Sequence, residues 1–576
     1  MSKKNFFAIL GLLGLGAYVT RRQWLGKILR LAPAKYSVTV ERGVAIPMPD
    51  GVRLIADHYA PKSNKSFPTI LARTPYGRNQ AGGVLGLLHV FFAQRLAERG
   101  YHVIFQDMRG RFDSEGVFEP FVDETRDGVA TLAWIAAQPW FDGHVGMWGQ
   151  SYEGYAQWAV AAAAPGFLQA LVPSIAGTEI TPFVGSGFTF DGIARWMMIL
   201  TRAGSGIKML AADFIRYIYP APLNRQLARA FDELPVGQAD ERALGKPVDY
   251  FRKWLLPENA HSEAPFWKAV AHGVRMNEVR AATHIVAGWY DIFLDQTLRD
   301  YAAMRAAGHT PYLTIGPWKH LDLACVAETL RASIDWYDAQ LKGRRRKLRV
   351  KPIRIYLMGA NRWLEYDEWS PFAQPTRLYL GSQRHLSTDA PMANIAPDIY
   401  RYDPAQPTPA LGGPLYQPAA GAVDNRPLEA RDDVLTFTTP PLENDVDVIG
   451  RVQLELFARS STPSADFFAR LCDVYSDGRS INLCDGGIRI DTGMGDHQAD
   501  GSLRVVIDMW ATANRFMRGH RIRLSVMSGQ HPRLARNLGT GEPVATATRM
   551  IVAEQTIYHD AAHPSALVLP VIGDAV

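Results

Sequence analysis

The stretch Gly146-Met147-Trp148-Gly149-Gln150-Ser151-Tyr152-Glu153-Gly154, "GMWGQSYEG", ends an apolar run and opens an alanine-rich one. A serine between glycines at such a junction is either a nucleophile on a strained strand-to-helix turn or a helix cap. Gly149 supplies the small residue that a crowded turn needs just before the serine. Glu153 stands where the usual G-x-S-x-G spacing has its second glycine, and Gly154 follows one place later. Alone, G-x-S-x-x-G is a weak signal, so the choice rests on what surrounds it.

Upstream, "PTILARTPY" (68–76) and "YHVIFQDMRG" (101–110) are uninterrupted apolar runs, the pattern of strands buried on both faces. Between them "LLHVFFAQRLAERG" has helical spacing and ends on Gly100, a C-cap residue. "DETRDGVATLAWIAAQ" follows as a helix with acidic residues at its start. The strand "GHVGMWGQS" then enters the helix "YEGYAQWAVAAAAPG". Alternation of this kind predicts a parallel, doubly wound sheet. It resumes with "QALVPSIAG" (169–177), "THIVAGWYD" (283–291) and "PYLTIGPWKH" (311–320). The intervening 180–280 is rich in Phe, Trp and Met with helical periodicity, and reads as a helical cap. "VAETLRASIDWYDAQLKG" closes this part as a helix. Beyond residue 352 the chain is all short alternating strands with Pro and Gly turns, which predicts a β-sandwich or jelly roll. The predicted organisation is a terminal segment 1–34, a core at 35–179 and 281–345, a cap at 180–280 and the β-domain at 352–576.

With 576 residues, more than one domain is needed. The net charge of +5 is small for this length and gives no reason to expect nucleic acid as partner. Cys325, Cys472 and Cys484 make neither a disulfide framework nor a zinc site. Cys472 and Cys484 flank a turn and can face each other across a hairpin, though two reduced core thiols are the plainer expectation. The N-terminus departs from this picture. Lys3 and Lys4 precede an apolar run of 14 residues from Phe6 to Val19, then Arg21 and Arg22. The run is shorter than the ~18 residues of a spanning helix. Its charge layout is that of a signal sequence without a clear cleavage site, and "WLGKILRLAP" after it is amphipathic. An uncleaved signal or anchor, placing the protein at the cell envelope, stands against a packed helix of a cytoplasmic protein.

A nucleophilic serine needs a base, and the base an orienting carboxylate. In doubly wound hydrolases these follow in the order Ser, Asp, His on loops leaving strand C-termini. Asp291 directly follows "THIVAGWY" and His320 follows "PYLTIGPWK"; the spacings are 291 − 151 = 140 and 320 − 291 = 29 residues. The first accommodates the cap and the second one helix and one strand. Oxyanion donors are the backbone N–H of Tyr152 and the hydroxyl of Tyr76, on the loop that leaves an early strand.

"RTPYGR", "QDMRGRFDSEG", "GMWGQSYEGYAQW", "GWYDIFLDQTLRD" and "GPWKH" closely resemble the CocE/NonD-type serine hydrolases: cocaine esterase, α-amino-acid ester hydrolase and X-prolyl dipeptidyl-peptidase. The family motif G-x-S-Y-x-G is satisfied by "GQSYEG", so the shifted glycine is that family's form of the turn. The resemblance spans roughly 38 to 570. It implies an α/β-hydrolase core with a C-terminal jelly roll, Ser151 as nucleophile, His320 as base and Asp291 as its orienter. Tyr76 and Tyr152 form the oxyanion hole, and neither metal nor cofactor takes part. Phe293 matches an aromatic lining the acyl pocket of the cocaine-cleaving member, with Trp289, Tyr290 and Trp318 as further pocket candidates. Members that cleave α-amino-acid esters carry Glu-Asp two and three places after the triad aspartate; here Phe293 and Leu294 occupy those places. An apolar pair does not compensate a buried ammonium. The dipeptidyl-peptidase members are typically longer. The expectation is a carboxylesterase for uncharged acyl esters; the alternatives are a dipeptidyl-peptidase or amidase of the same family, and an inert binding protein.

Other polar clusters carry less. Asp107, Arg109, Asp113 and Glu115 follow a strand, and the family's matching segment is structural. "DTGMGDHQADG" (491–501) lacks the EF-hand order and its closing glutamate. His559 and His563 have i, i+4 spacing, but Pro564 argues against a helix. The basic run "KGRRRKLRVK" (342–351) suits nucleic acid or acidic lipid, and a solvated linker is the plainer reading.

Overall fold

In the computed structural model the described residues are 26–573, apart from 182, 185–186, 203–220, 321, 371–372, 393–394, 417–418 and 492–494. The apolar run 6–19 therefore lies outside them.

Ten strands form the first sheet: β1 (Val38–Pro47), β2 (Arg53–Pro61), β3 (Thr69–Thr74), β4 (His102–Asp107), β5 (Val145–Gln150), β6 (Leu168–Ser174), β7 (Ala282–Tyr290), β8 (Tyr312–Lys319), β9 (Ile353–Leu357) and β10 (Arg362–Tyr366). Their order is β1-β2-β4-β3-β5-β6-β7-β8-β9-β10. From β4 to β9 neighbours run parallel, and only β1, β2 and β10 pair antiparallel at the edges. Helices α1 (Gly83–Ala97), α2 (Glu124–Ala136), α3 (Tyr152–Ala161), α4 (Phe190–Arg202), α5 (Leu294–Ala306) and α6 (Leu323–Gln340) accompany them.

The apolar runs work because alternate residues of a strand feed opposite faces. Leu71, Ile104, Met147, Leu171 and Ile285 face one core together with Leu132 of α2 and Trp158 of α3. Ile70, Phe105, Trp148, Val172 and Val286 face the other with Leu96 of α1 and Ile334 of α6. The sheet is covered on both sides, which is why its strands read as apolar without alternation.

Between β6 and β7 the chain is mostly short helices. Their core of Met197, Met198, Phe231, Phe251 and Trp254 is continuous with Tyr76, Phe121 and Tyr152 of the hydrolase core. The cap is thus seated on the edge of the sheet where β3 and β5 end.

From Gln374 to Ile572 the chain is almost entirely β, in a twelve-stranded arrangement with long strands at Val446–Ser460, Ser464–Val474, Ser480–Asp491 and Leu503–Phe516. β9 and β10 extend the first sheet: the fully buried Ile353 and Ile355 of β9 pair with Leu313 and Ile315 of β8, and β10 pairs with β9. The alternation of β9, with Ile353, Ile355 and Leu357 on one face, fits a strand of either sheet, so sequence alone could not divide them. Cys325, Cys472 and Cys484 are buried free thiols.

Candidate active site

Strand β5 ends at Gln150 and α3 begins at Tyr152, leaving Ser151 alone in the turn with φ 55° and ψ −122°. A non-glycine residue there is strained, and such strain is held only where the surroundings over-determine it. Packing supplies the constraint. A Cβ on Gly149 would lie 2.3 Å from the Cβ of Glu153, and one on Gly154 would lie 2.5 Å from that of Ala176. Both glycines are required for close approach, the first to the helix that follows and the second to the chain leaving β6. That explains physically why the second glycine can stand one place later.

The turn projects the serine toward two other strand ends. His320 Nε2 is 3.1 Å from Ser151 Oγ, and His320 Nδ1 is 2.7 Å from Asp291 Oδ2. Asp291 is fully buried and also accepts from the Phe293 amide at 2.8 Å. With Nδ1–H donated to that carboxylate, Nε2 carries the lone pair that faces the serine hydroxyl.

The expected oxyanion donors, Tyr152 and Tyr76, have these surroundings. Tyr152 N is the first N–H of α3, a position with no intrahelical acceptor. Tyr76 lies on the loop leaving β3, and its hydroxyl accepts from Trp196 Nε1 of the cap at 2.9 Å. Burial holds the Tyr76 phenol well above its ordinary pKa, so it remains a donor. The Tyr152 side chain has other work: its hydroxyl accepts from Phe121 N at 2.7 Å and donates to Glu124 Oε1 at 3.0 Å.

Two buried groups join the halves of this site. His89 Nε2 lies 2.9 Å from Glu153 Oε1, and His89 Nδ1 is 2.7 Å from the carbonyl of Gly77, next to Tyr76. Burial alone would depress the imidazole, but the Glu153 carboxylate and the Gly77 carbonyl hold its pKa above the ordinary value. Glu153 therefore ties the serine turn to the tyrosine loop.

The pocket candidates separate. Phe293 sits edge-on to the His320 ring with centroids 5.6 Å apart. Tyr290 is buried and donates to Asn482 O of the β-domain at 3.0 Å. Trp289 is buried with its Nε1 on Tyr356 O, and Trp318 is buried beside Trp363. Core packing accounts for these last two, as it does for many aromatics at strand ends. Tyr416 was missed by the sequence reading: it comes from a β-domain loop and places its ring 5.1 Å from His320. Trp196 was missed too; nothing in the spacing of a Trp-rich cap singles one indole out.

The weaker clusters resolve into structure. Arg78 bridges Asp57, Asp107 and Asp113, and Arg109 is bound by Asp127 and Asp50. His559 and His563 do not face each other; they pair separately with Asp398 and with Asp500 and Asp560. Among the described residues no group of three or more His, Cys, Asp or Glu could hold a metal. Thr492, Gly493 and Met494 of the Asp-rich loop lie outside those residues.

Residues 50–322 match the X-Pro dipeptidyl-peptidase (S15 family) and 348–568 match the X-Pro dipeptidyl-peptidase C-terminal non-catalytic domain. The chain is 33% identical to the cocaine esterase of Rhodococcus sp. (strain MB1 Bresler), over 93% of this chain and 99% of that protein. Solved structures of similar fold include an α-amino-acid ester hydrolase (TM-score 0.79, 23% identity, 94% of this chain and 98% of that one). Another is an aminopeptidase from a marine sediment archaeon, Thaumarchaeota (TM-score 0.77, 23% identity, 94% and 97%). The chain belongs to the CocE/NonD-type family and is a serine hydrolase.

Proposed function

We propose that the protein hydrolyses uncharged acyl esters, with Ser151 as nucleophile, His320 as general base and acid, and Asp291 as the group that orients His320. The observation that carries this is the unbroken relay from Asp291 Oδ2 through the imidazole to Ser151 Oγ, at 2.7 Å and 3.1 Å. The imidazole Nε2 takes the hydroxyl proton as Oγ bonds to the ester carbonyl carbon. The carbonyl oxygen becomes an oxyanion held by the Tyr152 N–H and the Tyr76 hydroxyl. The imidazolium, steadied by Asp291, then protonates the departing alcohol and leaves an acyl-enzyme. Water, deprotonated by the same imidazole, releases the acid.

Phe293 and Tyr416 flank the His320 ring, and this apolar wall favours an uncharged acyl group. Phe293 and Leu294 give no carboxylate for a substrate ammonium. The S15 family match supports a second reading, release of dipeptides from peptide N-termini. Hydrolysis of p-nitrophenyl butyrate against that of an Ala-Pro anilide decides between them. A kcat/KM for the ester at least about a hundredfold above the anilide is expected; the reverse order overturns the ester assignment.

Segment 1–34 is proposed to tether the enzyme to a membrane surface. No helix among the described residues is long and apolar enough to cross a membrane.

A further inference from the structure

The basic run 342–351 takes no part in catalysis, and its place in the fold gives it a different use. All parallel strands of the sheet begin at the edge opposite the catalytic rim. That edge gathers the loops at 26–37, 62–68, 98–101 and 341–352. They are knitted together: Lys35 N and Tyr36 N donate to Glu98 O, Lys62 N to Ser37 O, and Lys342 Nζ to Arg99 O. A cavity of about 530 Å³ opens there, lined by Lys35, Arg99, Arg344, Arg345 and Arg346. Its one carboxylate, Asp338, is already engaged by Tyr101 and Lys342. Lys62, Lys65 and Arg280 are exposed on neighbouring loops of the same edge, and Val350 is 95% exposed beside them.

The chain enters the fold at this edge. Gly26 lies against Arg99, where a Cβ would meet Nη2 at 3.2 Å, and Arg99 donates to Ala32 O. Only six residues separate Val19, the end of the apolar run, from Gly26. The seven Cα–Cα steps between them span at most about 25 Å. If the run sits in a bilayer, this edge lies at its surface, within reach of headgroup charge.

From these observations we infer that the strand-entry edge, through Arg344, Arg345, Arg346 and Lys35, docks on an anionic phospholipid bilayer. The catalytic rim then faces away, toward water and soluble esters. The inference takes its geometry from the proposed tether and its charge from described residues. Near a charged surface each basic residue strengthens binding by about fivefold, and salt removes the effect.

The test uses the full chain and sedimentation with vesicles of neutral phosphatidylcholine or of phosphatidylcholine with 30% phosphatidylglycerol. Partitioning onto the anionic vesicles should exceed that onto neutral ones at least about tenfold at 0.1 M NaCl, and the excess should vanish at 0.5 M. The triple variant Arg344→Glu, Arg345→Glu, Arg346→Glu should lose that excess while hydrolysing p-nitrophenyl butyrate normally. Bound wild type should turn over the soluble ester as fast as free enzyme. Binding to neutral vesicles reports the tether and the anionic excess reports the edge, so their failures are distinguishable. Partitioning that ignores lipid charge, an excess untouched by the triple variant, turnover suppressed on binding, or stronger binding to an oligonucleotide than to the anionic vesicles would each overturn the proposal.

Discussion

In the proposed mechanism Tyr76 donates to the place where negative charge develops, and Trp196 occupies a lone pair on the same hydroxyl. The indole therefore orients the phenolic proton toward the serine side. Tyr76→Phe removes one oxyanion donor and should lower kcat about 10²–10³-fold, with KM changed far less. Trp196→Phe keeps the ring that stacks on Phe121 and Trp254 but frees the hydroxyl to rotate. It should cost about tenfold in kcat, again with little effect on KM, measured by steady-state ester hydrolysis. The convergence of Ser151, Asp291 and His320 was legible because strand-end position and chain order constrain each of them independently. Trp196 was not, because its role depends on a cap helix crossing the rim, which residue spacing does not encode.

Elements fix these side chains. The strained turn at Ser151 persists because β5 and α3 clasp Gly149 against Glu153. Gly149→Ala forces a Cβ into a 2.3 Å contact and should destabilise the fold by about 2–4 kcal/mol or displace the turn. Chemical denaturation together with fluorophosphonate labelling distinguishes the two outcomes. The His89–Glu153 pair joins α1 to the start of α3. Because folding raises the His89 pKa, its contribution is full below the unfolded value near 6.5 and is lost as pH rises through the higher folded value. The Tm difference between wild type and His89→Gln should accordingly be largest near pH 6 and shrink as pH rises. A difference that grows with pH would contradict the pairing. The parallel strands were visible as unbroken apolar runs, whereas the link from Glu153 to the Gly77 loop was hidden, since 64 positions separate His89 from Glu153 (153 − 89).

At the scale of the molecule, the β-domain packs against the candidate site. Tyr416 reaches the His320 ring, Tyr290 is anchored on Asn482, and Phe190 and Asp191 of the cap donate backbone N–H groups to Arg533 and Pro532. Removing the Tyr416 ring by Tyr416→Ala should lower kcat/KM for a butyrate ester about tenfold, the order of one buried aromatic contact. The change from a parallel core to an all-β domain was plain in turn composition and strand length. Which sheet β9 and β10 join was not, because β9 alternates as a strand of either sheet would. Contacts between domains were equally hidden, as they rest on single loop residues such as Tyr416. The central claim is that Ser151 is the acylated group and that His320 activates it. Intact-mass and peptide analysis after fluorophosphonate treatment, with the labelling rate followed in wild type, Ser151→Ala and His320→Ala, tests it most directly. One adduct per chain on the Ser151 peptide, absent in Ser151→Ala and formed at least about 10³-fold more slowly in His320→Ala, is the predicted result. An adduct on another residue, or equal rates in wild type and His320→Ala, would contradict the mechanism.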